Sequence, residues 1–125
     1  MNIEQFVTLW VKSRLCGQYE ADEAVRVFKD TCDKQHIPAR LGTFCGFLIS
    51  TNRITEWQCD KLRMGKWKGF YLDNYLILEH VGKDYSHSYY KARDTRDGKL
   101  VRMAVTPIEH PPYLEYSVGP YSDLT

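Results

Sequence analysis

Apolar residues in the first part of the chain recur at three- and four-residue steps, the spacing that lines one face of an α-helix. This pattern predicts three helices before residue 51. Asp22 and Glu23 favour the positive N-terminal end of the second helix, and Pro38 suits the start of the third. The apolar positions of the three helices are Ile3, Phe6, Val7 and Trp10; Ala21, Ala24, Val25, Phe28 and Cys32; and Leu41, Phe44, Cys45 and Leu48.

The segment STNRITEWQCDKLRMG predicts a fourth helix with defined ends. Thr55 followed by Gln58 three residues later matches a capping box, and Gly65 suits the position just after the last turn. Residues 1–70 are therefore predicted to form a bundle of about four short helices.

The pattern changes to that of β-strands after residue 70. The runs YLDNYLILEHVG, SHSYYKARD and KLVRMAVTP are rich in aromatic and β-branched residues, and Asp97-Gly98 is a hairpin-turn pair between the last two. PYLEYSVG predicts a fourth strand, entered through Pro111-Pro112. Residues 71–125 are predicted to form a small antiparallel sheet, packed as one unit with the helices, so the expected fold class is α+β.

The composition of the chain limits where the protein can reside but does not identify a partner. The chain is 43% hydrophobic and 14% aromatic, which suffices for a packed core, and its formal net charge of +1 gives no general attraction to nucleic acid or anionic membranes. No apolar run approaches the roughly 20 residues of a membrane span. The N-terminal residues, with Glu4 among them, lack the order of a secretory signal. We expect a cytoplasmic protein without a membrane association.

The four cysteines, Cys16, Cys32, Cys45 and Cys59, contain no C-x-x-C pair. Each falls within an apolar helical pattern, where cysteine acts as a small buried apolar residue. Reduced core thiols are therefore expected, with no metal site and no cofactor.

The histidines give no catalytic pattern. His80, His87 and His110 fall on or near predicted strands, and no nucleophile lies at a recognisable spacing from them. No catalytic residue is predicted.

The sequence that runs from the fourth helix into the first strand resembles that of a known protein family. TEWQCDKLRMGKWKGF, from Thr55 to Phe70, and the following YLILEHVG resemble the entry to the kinase domain of bacterial eukaryotic-like serine/threonine protein kinases. There a helical segment ends in T-x-x-Q-x-x-x-L-x-x-G-[KR]-[WY]-[KR]-G-F, and a Y-x-[IL]-L strand and a glycine-rich loop follow. The resemblance covers a little over half the chain and implies a sheet like that of the kinase small lobe.

The glycine-rich loop of the family, G-x-G-x-x-G-x-V, is altered here. In register, Gly82 keeps the first glycine, while Asp84, His87 and Tyr89 replace the second glycine, the third glycine and the valine. Side chains at the glycine positions block close approach of phosphates. A carboxylate about 4 Å from a phosphate costs about 4 kcal/mol per charge pair at an effective dielectric constant near 20. The resemblance therefore implies a weakened nucleotide site, and ATP is not expected as a ligand.

The strand lysine of the family is also replaced. The V-A-I-K phrase aligns with Val101, Arg102, Met103 and Ala104, so the lysine position is Ala104. No H-R-D or D-F-G phrase follows. The segment PPYLEYSVGPYSDLT is either a counterpart of the strand that joins the two kinase lobes or a tyrosine-rich edge strand.

Two functions from different classes follow from the resemblance. The first is a non-catalytic, pseudokinase-like interaction module that binds a protein partner or itself, because the apolar sheet face must be covered by the helices, a second copy or a partner. The second is a nucleotide-sensing regulatory piece of a kinase system that still binds ATP. The residues predicted as contact surface are Tyr85, Tyr90, Tyr113, Tyr116, Trp67 and Phe70.

One further stretch, KLRMGKWKGFY, alternates basic and aromatic residues. Such a stretch binds single-stranded nucleic acid or a membrane surface in some proteins. It is equally typical of a solvated helix end that docks onto a sheet. The net charge favours the helix end, so a nucleic-acid partner is not expected from sequence alone.

Overall fold

The computed structural model describes residues 1–106 and 115–121. The helices precede an antiparallel sheet, which confirms the predicted α+β class. The chain divides into two compact units, Met1–Lys68 and Gly69–Thr125. The elements are α1 (Ile3–Lys12), α2 (Gln18–Gln35), α3 (Leu41–Ser50), α4 (Glu56–Arg63), β1 (Tyr71–Leu72), β2 (Tyr75–Lys83), β3 (Ser88–Asp94), β4 (Leu100–Thr106) and β5 (Glu115–Pro120).

An aromatic cluster forms the core of the helical unit. The ring of Phe44 on α3 makes edge-on contacts with Phe6 and Trp10 of α1, at centroid distances of 6.1 and 6.5 Å. Phe28 of α2 lies 5.1 Å from the same ring. All four side chains are buried, as the helical spacing predicted. Three helices are therefore held together through one residue, Phe44.

Reciprocal side-chain bonds cap two of the helices. Asn2 Oδ1 accepts from the Gln5 backbone N–H at 2.8 Å, and Gln5 Oε1 accepts from the Asn2 N–H at 2.9 Å. At α4, Thr55 and Gln58 exchange the same two bonds at 3.1 Å, which confirms the predicted capping box. Gly65, with φ of +81°, follows the helix and confirms its predicted end.

The predicted starts of two helices were wrong. Pro38 lies in irregular backbone, and α3 begins at Leu41 after Arg40, which is extended. Proline suits the first helical position but does not force a helix to begin there. Here α3 begins at Leu41, the first residue of the apolar pattern. Likewise α2 begins at Gln18, so Asp22 and Glu23 lie beyond its first turn.

All four cysteines are free. Cys32, Cys45 and Cys59 are buried in helices, as expected. Cys16 lies instead in the connection between α1 and α2 and is half-buried. Burial raises the pKa of its thiol to about 12, and the charge of Glu20 adds to the shift.

The five strands form a meander in the order β1-β2-β3-β4-β5. The predicted first strand is divided by a turn in which Asp73 has a φ of +52°. The Asp97-Gly98 turn is confirmed between β3 and β4, and Gly98 has a φ of +76°. The predicted fourth strand appears as β5, whereas its predicted entry through Pro111-Pro112 lies outside the described residues.

One face of this sheet, called the inner face here, is apolar. Ala92 and Met103 are fully buried on it, and Val105 is 7% exposed. Strand alternation puts these residues on the same side of β3 and β4, because Met103 pairs with Tyr90 and Ala92 pairs with Val101. The side chains packed against this core are Leu72, Tyr75, Tyr90, Val101 and Tyr116, all from the sheet itself.

The sheet curls around its inner face. Tyr116 of β5 meets Tyr75 of β2 edge-on with ring centroids 6.1 Å apart, and the Tyr116 hydroxyl donates to Asp73. Pairing between β2 and β3 shifts register after Ile77 and again after His80. Such irregularities bend a strand and increase its twist, which accounts for the curl. The sheet thus supplies much of the cover that its apolar face was predicted to need.

We predict that Met103→Ala lowers the free energy of unfolding of the sheet by about 2–5 kcal/mol, because it leaves a cavity at a fully buried position. Val118→Ala is the matched control. Val118 pairs with Met103 but is 38% exposed, so about 1 kcal/mol or less is expected. Urea titration followed through backbone amide signals of β3 and β4 measures both. Equal losses in the two variants would contradict the assigned core.

Candidate functional site

The altered loop positions lie in the hairpin that joins β2 to β3. Gly82 pairs with Tyr89, and the turn between the strands is closed by a bond from the Asp84 N–H to the His87 carbonyl at 2.9 Å. The strand–loop–strand order that the sequence predicted is therefore present. The turn spans residues 84–87.

The carboxylate of Asp84 fills the inside of this turn. Its Oδ1 accepts from the backbone N–H groups of Ser86 and His87, both at 2.9 Å, and its Oδ2 accepts from the Tyr89 hydroxyl. The Tyr89 hydrogen bond first, and the two backbone bonds next, lower the pKa of Asp84 to about 2. At neutral pH the turn therefore holds its own anion, and that anion occupies the donors of the loop.

Serine, histidine and aspartate meet in this turn, but their geometry is not that of a proton relay. Ser86 Oγ lies 2.8 Å from Nδ1 of His87, and Asp84 Oδ1 lies 3.8 Å from the same nitrogen. A relay requires the acid and the nucleophile on opposite ring nitrogens. The His87 ring stacks on Tyr89 at 6.1 Å, so the cluster orders the turn.

Ala104, the position that the sequence resemblance aligns with the kinase lysine, lies on β4 next to the β3 arm of the hairpin. Ala104 pairs with Tyr89 on the opposite side from Met103, which we call the outer face. Arg102 lies on this face too, is exposed, and has its guanidinium carbon 5.2 Å from the centre of the Tyr89 ring. Lys91 pairs with Arg102, and its ammonium lies 4.9 Å from the Tyr121 ring. Both cations are thus placed against tyrosine rings of the sheet.

The tyrosines predicted as contact surface occupy different environments. Tyr85 is fully exposed at the tip of the hairpin. Tyr90 and Tyr116 are half-buried against the inner core, and Tyr90 also packs edge-on against His80 at 5.1 Å. Tyr113 lies outside the described residues. Of the three described residues, Tyr85 offers the largest surface to a partner.

The two other predicted contact residues differ from each other. Phe70 is 2% exposed, so its ring is buried in the chain. Trp67 is half-buried, with the ammonium groups of Lys12 and Lys68 at 4.3 and 4.9 Å from its ring centre. The contribution of Lys12 was missed from sequence, because it comes from α1 and depends on how the helices pack.

An ion pair between a buried carboxylate and an arginine was also missed. Asp94 is buried at the end of β3 and accepts from Arg96 Nε at 3.0 Å and Nη2 at 2.9 Å. The signal was present in the phrase ARDTRDG, where an aspartate precedes an arginine by two residues in a turn. Because this pair bridges a turn, its contribution is structural.

No group of three or more metal-ligating side chains comes together within residues 1–106 and 115–121. The arrangement in the hairpin consists of hydrogen bonds and ring contacts alone. Comparison of the chain with protein-family models, with curated protein sequences and with solved structures gives no match.

We predict that Tyr89→Phe raises the pKa of Asp84 from about 2 towards 3.8, because the largest cause of the lowering is removed while the two backbone bonds remain. A pH titration of the Asp84 side-chain carboxyl carbon by NMR measures the change. Tyr85→Phe is the control and leaves the pKa unchanged. The stabilisation from Asp84 is present above pH 4 and is lost as the pH falls through about 2. An unchanged pKa in Tyr89→Phe would contradict the assigned contact.

Proposed function

We propose that the chain is a non-catalytic, kinase-like interaction module in which the hairpin no longer holds a nucleotide. The observation that carries this proposal is the position of the Asp84 carboxylate inside the turn. It accepts three hydrogen bonds from the loop and the adjoining strand. The resemblance to bacterial eukaryotic-like kinases is part of the proposal, and it rests on the phrase from Thr55 to Phe70.

Phosphate binding by such a loop depends on free backbone N–H groups and on close approach of the backbone. Here the N–H groups of Ser86 and His87 are already bonded to Asp84, which stays anionic far below neutral pH. A phosphate would have to displace this carboxylate and would be repelled by it at the same time. Both effects act against nucleotide binding.

The surroundings of Ala104, which aligns with the kinase lysine, also act against nucleotide binding. Ala104 has no charge, and the neighbouring Arg102 lies with its guanidinium carbon over the Tyr89 ring. Arginine on that ring is a stable arrangement that would have to be broken to serve a phosphate. The proposal therefore assigns no catalytic residue and no cofactor.

The proposed contact surface is the exposed tip of the hairpin. Tyr85 is fully exposed, and Val81, next to the second register shift of β2, is 44% exposed. Exposed tyrosine gives a large contact area at a low entropic cost and is enriched at protein interfaces. Since the sheet itself covers much of the inner face, we assign self-association or partner binding to this tip.

Location in the cytoplasm is part of the proposal and is supported by the four free thiols. Within residues 1–106 and 115–121, no helix has both the length and the apolar character that crossing a bilayer requires.

A nucleotide-sensing function is the second candidate, and two observations favour it. The hairpin keeps its strand pairing around Gly82, and Arg102 provides a cation on the same face as Ala104. If the Asp84 carboxylate is displaced, or if Mg²⁺ offsets its charge, a nucleotide has a frame on which to bind. The two candidates differ in one measurable property, the affinity for ATP.

We predict that the melting temperature of the chain does not change with up to 5 mM ATP and Mg²⁺, a concentration chosen to reveal even weak binding. The control variant combines three substitutions. Asp84→Gly and His87→Gly restore the two glycine positions, and Ala104→Lys restores the lysine. The three changes together are expected to produce a measurable rise. A rise in the unchanged chain would support the nucleotide-sensing candidate and overturn the proposal.

Sedimentation velocity of the same samples tests the contact surface. A concentration-dependent dimer is expected for the unchanged chain and is weakened in Tyr85→Ser. Tyr19→Ser is the matched control, because Tyr19 is a 76% exposed tyrosine on α2. A monomer at all concentrations would rule out self-association. Equal weakening of the dimer by both variants would rule out the hairpin tip as the contact surface.

A further inference from the structure

Five cationic side chains lie at or just beyond the C-terminal ends of α1 and α4, and two of them, Lys12 and Lys68, contact the same ring, that of Trp67. Lys61 and Arg63 belong to the last turn of α4, Lys66 and Lys68 follow it, and Lys12 ends α1. The two helices pack against each other within the helical unit. We propose that these five residues, the lysine cluster, bind the phosphate backbone of nucleic acid without regard to base sequence.

The ring of Trp67 joins the two parts of the cluster. Lys12 Nζ lies 4.3 Å from the ring centre, and Lys68 Nζ lies 4.9 Å from it. Each ammonium is attracted by the electrons of the ring, yet the two ammonium groups repel each other. An anion between or beside them would relieve this repulsion. A residue far away in sequence thus reinforces the basic stretch.

The basic stretch of the cluster contains no acid of its own. Residues 61–68 contain four of the 17 Lys and Arg residues of the chain and none of its 16 Asp and Glu residues. The ion pairs in the described part of the chain involve none of the five cluster residues. Asp60 precedes the stretch and is the nearest acid in sequence. The overall charge of +1 therefore conceals a strongly basic patch.

Helix geometry explains only part of this charge. Cations in the last turn of a helix interact favourably with its C-terminal dipole, which accounts for Lys12, Lys61 and Arg63. Lys66 and Lys68 follow Gly65, where the helix has ended, so the dipole does not require them. Lys12, Arg63, Lys66 and Lys68 are exposed, and Lys61 is half-buried.

The chemistry of the cluster selects nucleic acid among anionic partners. Four of its five members are lysines, which act as point charges towards phosphates, whereas protein interfaces are depleted in lysine and carboxylates are better matched by arginine. An anionic membrane favours inserted apolar side chains. Within residues 56–68 the one large apolar side chain that is exposed is Met64, at 59%.

The surroundings of the Trp67 ring indicate which part of a nucleic acid the cluster contacts. Its surroundings are taken by two ammonium groups, which leaves less ring surface for stacking on a base. Contacts are therefore expected with phosphates, and these position a nucleic acid but do not read its sequence. Four cluster residues fall within the phrase from Thr55 to Phe70 that carries the resemblance, but nucleic-acid binding is argued here from their charge and does not depend on the hairpin of Asp84.

The test uses a fluorescein-labelled 15-nucleotide thymidine strand and measures fluorescence anisotropy between 50 and 200 mM KCl. Five phosphate contacts predict a slope of about −3.5 for the logarithm of the association constant against that of the salt concentration. Lys66→Gln/Lys68→Gln is expected to reduce the magnitude of this slope by about 1.4 and to weaken binding about tenfold at 50 mM KCl.

Lys12→Gln is the most informative variant. It is expected to reduce the magnitude of the slope by about 0.7, the contribution of one phosphate contact. The variant is informative because Lys12 joins the cluster only through the packing of α1 on α4. Lys29→Gln/Lys34→Gln is the matched control; it removes two exposed lysines from α2 and should leave the slope unchanged. Unchanged melting temperatures show that the substituted chains are folded.

Several outcomes would overturn the proposal. One is no binding at 50 mM KCl, and another is an equal loss of affinity in the control variant. A third is equally strong binding to polyglutamate, which would identify an acidic protein as the partner. Binding to phosphatidylserine vesicles without binding to the oligonucleotide would identify a membrane surface. An unchanged slope in Lys12→Gln would show that α1 does not contribute.

Discussion

The contact between Tyr75 and Tyr116 closes the sheet around its own apolar residues, and the other properties of the sheet depend on this closure. The two rings meet across a five-stranded meander, and the Tyr116 hydroxyl donates to Asp73 in the β1–β2 turn. Both rings pack against the core of Ala92 and Met103, which are fully buried. Because a curled sheet turns its apolar side inward, its outer face carries Lys91, Arg102 and the small residue Ala104. An isolated flat sheet of this size would leave its apolar face open to water.

The hairpin between β2 and β3 follows the second of the two register shifts in this strand pair. Where a kinase loop would offer its backbone to phosphates, this turn offers it to Asp84. The carboxylate is held by three donors and remains charged at neutral pH, so it takes the place that a bound anion would have in this loop. A hairpin of this kind keeps its shape without a ligand. That property suits a contact surface, since little conformational entropy is lost when a rigid tip is bound.

Sequence patterns predicted what depends on neighbours along the chain. The capping pair Thr55 and Gln58, the end at Gly65 and the alternation of β4 all follow from local rules. The start of α3 did not, because Pro38 is compatible with several backbone paths and the apolar pattern decides between them. Contacts such as Tyr75 with Tyr116 or Lys12 with Trp67 join residues far apart in sequence. Alternation assigns a residue to a face but carries no information on how strongly that face is curved.

The most direct test of this account is the distance between the rings of Tyr75 and Tyr116 in solution. Ring-proton nuclear Overhauser effects between these two residues, and from both residues to the methyl group of Met103, report the closure of the sheet. The account predicts strong effects between the rings, which lie 6.1 Å apart by their centres, and a Met103 methyl group shielded from a soluble paramagnetic probe. Absence of these effects, with Met103 accessible to the probe, would contradict a self-covered sheet.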